Sequence, residues 1–229
     1  MTRRIRIGII DSGVHAAHPH VGCIAGGVSI ANGAYDPSSY VDHLGHGTAI
    51  AALIHSRAPQ ADLFSVKIFR QKLVTNLVDV LAAIDWCLQN EMDLINLSLG
   101  TTNSDHRSAF EEAASKVFAA ERAIVSAFEM DGIEALPGCL EGVVAAVADP
   151  SRAPGEHTVN IVRGKRVFTA CPFPRDIPGV PREKNLHGVS FAVAHLTGTL
   201  ANLWNPAFRF TEWEAALLER AQPTIAQQT

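Results

Sequence analysis

Short runs of β-branched and apolar residues alternate along this chain with longer runs of helical period, and that alternation limits the fold more than any other feature. Residues 5–10, 61–69, 93–97, 123–127 and 142–148 read as strands, apolar almost throughout, as strands buried on both faces are. Between them, 46–56 is small and apolar and reads as a buried helix. Residues 76–89 place Leu77, Val80, Leu81, Ile84 and Leu88 on one helical face, and 108–122 do the same with Phe110, Ala113, Ala114, Val117 and Phe118. A second small, buried helix is expected at 189–203. A polar one follows at 211–221, where Thr211 and Glu214 are spaced as a capping box. The expectation is one α/β domain over residues 1–229, with a mostly parallel central sheet, helices on both faces and right-handed crossovers. No internal repeat interrupts it, and the Pro-rich stretch 172–181 reads as a loop.

Composition removes several classes of function. With 229 residues and 47% hydrophobic content the chain can bury a sizeable core and is not disordered. A net charge of −4 gives no basic footprint for nucleic acid, and no apolar run nears the roughly 18 residues of a membrane helix. The apolar run at 5–10 is too short for an export signal, and Cys23, Cys87, Cys139 and Cys171 have no C-x-x-C spacing. Four reduced thiols in or near the core and a cytoplasmic location are therefore expected.

Three segments carry chemistry. Asp11 ends the first strand and is followed by Ser12-Gly13, and working groups in parallel sheets gather at the carboxyl ends of strands. His46, between Gly45 and Gly47, opens the first buried helix. Ser190, after Gly188-Val189, opens the second, where free N–H groups favour developing negative charge. Singly, such residues are more often a turn former, a structural histidine and an N-cap. Chance rarely supplies them together in this order with these flanks.

The segments Ile10-Asp11-Ser12-Gly13-Val14, Gly45-His46-Gly47-Thr48 and Gly188-Val189-Ser190-Phe191-Ala192 resemble the three active-site motifs of the subtilisin-like serine peptidases, or subtilases. Ala58-Pro59-Gln60-Ala61-Asp62-Leu63 and Asn96-Leu97-Ser98-Leu99-Gly100 are similar to two further family stretches, so the resemblance spans about residues 5–203. It implies a serine endopeptidase: Ser190 the nucleophile, His46 the general base, Asp11 the group that orients the imidazole. Ser98, Leu99 and Gly100 would pair with substrate backbone, Gly100 leaving room for its approach. The partner implied is a peptide or protein substrate, with no metal and no cofactor.

The chain departs from the family in two ways. Where the family supplies an oxyanion-hole Asn, this chain reads Ala127-Phe128-Glu129-Met130, which puts Met130 at the donor position, and Met cannot donate. The family's Thr before the nucleophile is Val189. The Ser190 N–H remains, and Asn185 or His187 is the candidate second donor. A slow enzyme relying on a tightly docked substrate, or a relic triad in a binding protein, are the alternatives. The first strand also begins close to Met1, leaving no prodomain, which suggests a narrow-specificity processing peptidase.

Weaker signals remain. His15, His18, His20 and Cys23 offer zinc-type ligands, hence a rival reading as a zinc hydrolase, although Pro19 breaks the register. His195 reads as a satisfied interior histidine, and Asp42 and His43 as solvated loop residues, with substrate contact as the alternative. Trp204, Phe208, Phe210 and Trp213 read as a helix docking on the core, with a partner patch as the alternative.

Overall fold

A computed structural model describes residues 3–205, 207 and 209–223 of the chain. In chain order the elements are β1 (Arg6–Asp11), β2 (Ile24–Ala31), β3 (Ala34–Asp36), α1 (His46–Arg57), β4 (Asp62–Lys67), α2 (Leu77–Gln89) and β5 (Leu94–Leu97). There follow α3 (Arg107–Ala119), β6 (Ala123–Ala127), β7 (Glu129–Met130), β8 (Ile133–Glu134), β9 (Val143–Ala148), β10 (His157–Val162), β11 (Lys165–Ala170), α4 (Val189–Leu203) and α5 (Phe210–Arg220).

Nine strands form one sheet in the order β10-β11-β9-β6-β5-β1-β4-β2-β3. The seven from β11 to β2 run parallel, and an antiparallel hairpin closes each edge. Because strand side chains alternate, Ile7 and Ile9 pack with α1 and α4 on one face while Ile10 packs with α2 and α3 on the other. Gly8 lies under α2. A Cβ there would stand 2.6 Å from the Cys87 sulfur, so its absence lets helix and sheet close.

The parallel sheet with helices on both faces is as the alternation implied. The three hairpins were not foreseen: β2–β3, β7–β8 and β10–β11 turn at Asn32-Gly33, Asp131-Gly132 and Arg163-Gly164, each pair with positive φ at both residues. Asn-Gly and Asp-Gly are the strongest short hairpin signals and were legible in the sequence. The strands they join are short, partly exposed edge pieces without the buried-strand pattern. The capping box of the last helix also shifts by two residues, for Glu212, not Glu214, accepts from the backbone N–H at the helix start, that of Arg209. Trp213 is buried against the core and Trp204 packs at its margin, whereas Phe208 and the Phe210 side chain lie outside the described residues. Cys87 and Cys171 are buried and Cys139 half-buried, but Cys23 is exposed.

Candidate active site

Asp11 is the last residue of β1, wholly buried, and its carboxylate receives the His46 Nδ1 at 2.8 and 2.9 Å from its two oxygens. The backbone N–H of Ser12 donates to the same carboxylate at 2.7 Å. Helix α1 can come this close because Gly47 has no side chain: a Cβ would lie 2.2 Å from the Gly13 carbonyl oxygen. Gly45, with φ of 83°, sets the turn into the helix.

Asp42 holds the helix in place, which corrects its expected place in a solvated loop. It is 7% exposed and accepts five hydrogen bonds, from the Ser12 and Thr48 hydroxyls and from the backbone N–H groups of Leu44, Gly45 and Thr48. Ser12 Oγ in turn accepts from the Gly47 N–H. With no side-chain cap at the helix start, Asp42 satisfies these amides instead. Burial alone would raise its pKa, but the Thr48, Leu44 and Ser12 hydrogen bonds outweigh it and hold the carboxyl below the usual range. Burial likewise pushes the His46 imidazole down. The hydrogen bond and charge of Asp11, with the more distant charge of Asp42, overcome that and leave it above its ordinary value.

Ser190 is the second residue of α4, and Phe191 beside it packs its ring 5.7 Å from that of His46. Helices α1 and α4 thus bring the two motifs together. The Ser190 hydroxyl donates to the Ser98 carbonyl oxygen at 3.1 Å and is not hydrogen-bonded to the imidazole. A buried polar chain that sequence reasoning missed fixes this junction: Thr197 donates to Asn96 Oδ1, and Asn96 Nδ2 to the Ser98 hydroxyl. Asn96 stood among apolar strand residues, and a buried amide needs partners.

Ser98, Leu99 and Gly100 follow β5 beyond its paired residues. A Cβ at Gly100 would meet Ala135 at 3.1 Å and the Leu136 carbonyl oxygen at 3.3 Å, while Leu99 and Gly100 also border a cavity of about 230 Å³. Met130 sits in the β7–β8 hairpin and lines, with Glu129 and Val189, a cavity of about 330 Å³. Asn185 spends its amide on its own loop, donating to the Arg175 carbonyl at 3.1 Å and accepting from the Leu186 N–H, while the His187 ring lies against Phe173. Neither is hydrogen-bonded to Ser190.

His195 is buried, with Nε2 donating to the Phe173 carbonyl and Nδ1 unpartnered, so it is only half satisfied. Burial pushes its pKa down to about 4, the Phe173 hydrogen bond opposing and Arg57 and Arg182 reinforcing the drop. It is a neutral strut between α4 and the 172–187 loop. His18 and His20 rings meet edge-on at 5.2 Å, but among the described residues no three His, Cys, Asp or Glu side chains gather as metal ligands would.

A sequence profile described as the subtilase family matches residues 2–128, which include Asp11 and His46 but not Ser190. A thermostable alkaline protease of Halalkalibacterium halodurans is 30% identical over 215 residues, 86% of this chain and 55% of that protein. Subtilisin E of Bacillus subtilis is 25% identical over 86% of this chain and 54% of its own length. The minor extracellular protease Epr of the same species is 34% identical over 57% of this chain but 20% of its own. The chain thus spans about half the length, or less, of these curated relatives. Among solved structures, the prenylagaramide maturation protease PagA superposes with TM-score 0.73 at 23% identity, over 98% of this chain and 86% of that one. A lanthipeptide protease does so with TM-score 0.67 at 19% identity, over 87% and 72%.

Proposed function

The chain belongs to the subtilase family, and from that premise we propose that it is a serine endopeptidase working through Asp11, His46 and Ser190. The observation that carries this reading is the buried Asp11 carboxylate on His46 Nδ1, with the helix bearing Ser190 packed against the same imidazole. In the reaction the Ser190 hydroxyl leaves the Ser98 carbonyl and attacks the scissile carbonyl while His46 Nε2 takes its proton. Asp11 holds the tautomer with Nε2 free and stabilises the imidazolium. His46 then gives the proton to the leaving amine, and water repeats the cycle on the acyl-enzyme. The oxyanion meets the Ser190 N–H, and a second donor comes from the 185–187 segment once substrate reorders it.

The substrate is a specific peptide or protein from which a leader is removed. Two observations favour that: Met130 in place of a donor, which disfavours fast general proteolysis, and structural neighbours that are a prenylagaramide maturation protease and a lanthipeptide protease. Four unpaired thiols favour a reducing compartment. The Ser190 hydroxyl's bond to the Ser98 carbonyl, in place of one to His46, supports a second reading, a peptide-binding protein with little turnover.

Fluorophosphonate labelling of wild type beside Ser190→Ala, read by intact mass, separates the two. A single adduct on wild type alone is expected. Well-folded wild type that takes no adduct would hand the case to the binding protein, and rapid, unselective casein digestion would defeat the narrow specificity.

A further inference from the structure

The histidine-rich loop that the triad does not use lines a cavity of about 540 Å³ with the segments flanking His46 and leading to Ser190. Its lining includes His15, His18 and His20 from the loop after β1, His43 from the loop before α1, and Arg175 from the loop after β11. Apolar Leu44, Ala52, Ile177 and Leu186 line it too, the last two about half exposed at 46% and 48%. None of Ser98, Leu99 or Gly100 borders it.

The hydrogen-bonding groups left free around this cavity are mostly donors. Asp42 also faces it, but its two oxygens already accept five hydrogen bonds within the protein. The nearest acid on the Arg175 loop, Asp176, pairs with Arg182. The Arg175 guanidinium has no carboxylate partner among the described residues. Imidazoles donate at least one N–H in either protonation state, so the lining is rich in donors and poor in free acceptors.

Resting on the peptidase reading, we propose that this cavity receives the substrate segment on the leaving-group side of the scissile bond, and that it selects an apolar side chain followed by acidic ones. A chain paired along Ser98–Gly100 before the cut passes His46 and Ser190 and enters the cavity after it. The apolar side chain covers Leu44 and Ile177, and the carboxylates meet Arg175 and the imidazoles. Charge-assisted hydrogen bonds of this kind are the strong ones, and here an effect of about tenfold in affinity is expected.

The test uses Ser190→Ala protein, which cannot cleave, titrated by NMR with acetyl-Gly-Leu-Glu-Glu-amide and with its Gln-Gln counterpart. The acidic peptide should bind about tenfold tighter and shift the His18, His20 and His43 imidazoles. Arg175→Gln in the same background should erase that advantage while leaving the neutral peptide unchanged. Equal binding of the two peptides, shifts confined elsewhere, or an advantage that survives Arg175→Gln would overturn the proposal. Labelling of the wild-type serine is read separately, so failure of the cavity and failure of the peptidase remain distinct.

Discussion

The two halves of the site are built to different standards. Around Asp11 and His46 the polar groups are matched: the carboxylate holds the imidazole and an amide, Asp42 takes five donors, and Ser12 links both to the start of α1. Around Ser190 the hydroxyl rests on a backbone carbonyl, and Asn185 is occupied within its own loop. The first half is preorganised by a satisfied buried network, which low dielectric makes rigid and costly to disturb. The proposed mechanism asks of the second a rotation of the Ser190 side chain and a rearrangement of the 185–187 segment on substrate binding. Catalytic hydrogen bonds are often long or misaligned until substrate binds. On the proposed mechanism the base is ready in the free protein, and the nucleophile is completed on binding.

The sharpest way to break this contrast is at its two ends. Removing the nucleophile with Ser190→Ala should abolish fluorophosphonate labelling and cleavage while leaving the urea midpoint within error of wild type, because the Ser190 hydroxyl makes one modest hydrogen bond. A large loss of stability would show that the junction with Ser98 is structural. Asp42→Asn should do the opposite and destabilise strongly. An amide offers one accepting oxygen where five donors converge, and about 3 kcal/mol is expected, a fall of roughly 6–12 °C in Tm by calorimetry.

The same variant carries a pH signature. Asp42 has a lowered folded pKa, so the stability it contributes is present above the unfolded carboxylate value and is lost as pH falls through the folded one. Asp42→Asn should flatten that acid limb of the stability profile. His46 must be neutral to act, so kcat/KM should rise with pH through its raised pKa, and losing the Asp42 charge should move that limb to lower pH. An unmoved limb would mean that Asp42 acts on the helix but not on the imidazole.

Smaller effects sharpen the nucleophile half. Met130→Asn should raise the acylation rate, by roughly tenfold, if the hairpin presents its side chain to the oxyanion; a well-placed donor gives about 10²–10³. No gain in stopped-flow acylation would place the missing donor elsewhere. Gly100→Ala should cost about 1 kcal/mol by denaturation, since Ala135 and Leu136 must shift by a few tenths of an ångström, and should raise KM more than it lowers kcat. An unaltered KM would argue against substrate pairing along Ser98–Gly100.

The sheet, its helices and the three motif residues were legible because each rests on local pattern. Buried strands are apolar, α2 has Asn76 capping Asp79 N at its start, and glycines mark the turns beside Asp11, His46 and Ser190. Asp42 was misread because nothing in a polar loop sequence shows that five donors from three segments converge on it. Asn96 and Thr197 lie 101 positions apart, and only folding makes them partners. Ala135 and Leu136 close in on the Cβ side of Gly100, and the imidazoles of His15, His18 and His20 line one cavity with Arg175, contacts between segments that no local pattern announces.

The sequence by itself determined the parallel α/β layering and which residue types stand at the strand and helix ends, since hydrophobic period and turn chemistry act over a few residues. Only the tertiary structure decided which polar groups are satisfied, which way the Ser190 hydroxyl points and what lines the cavity beside His46. Those depend on contacts between segments distant in the chain, where burial turns each unpaired polar group into a cost that packing must resolve.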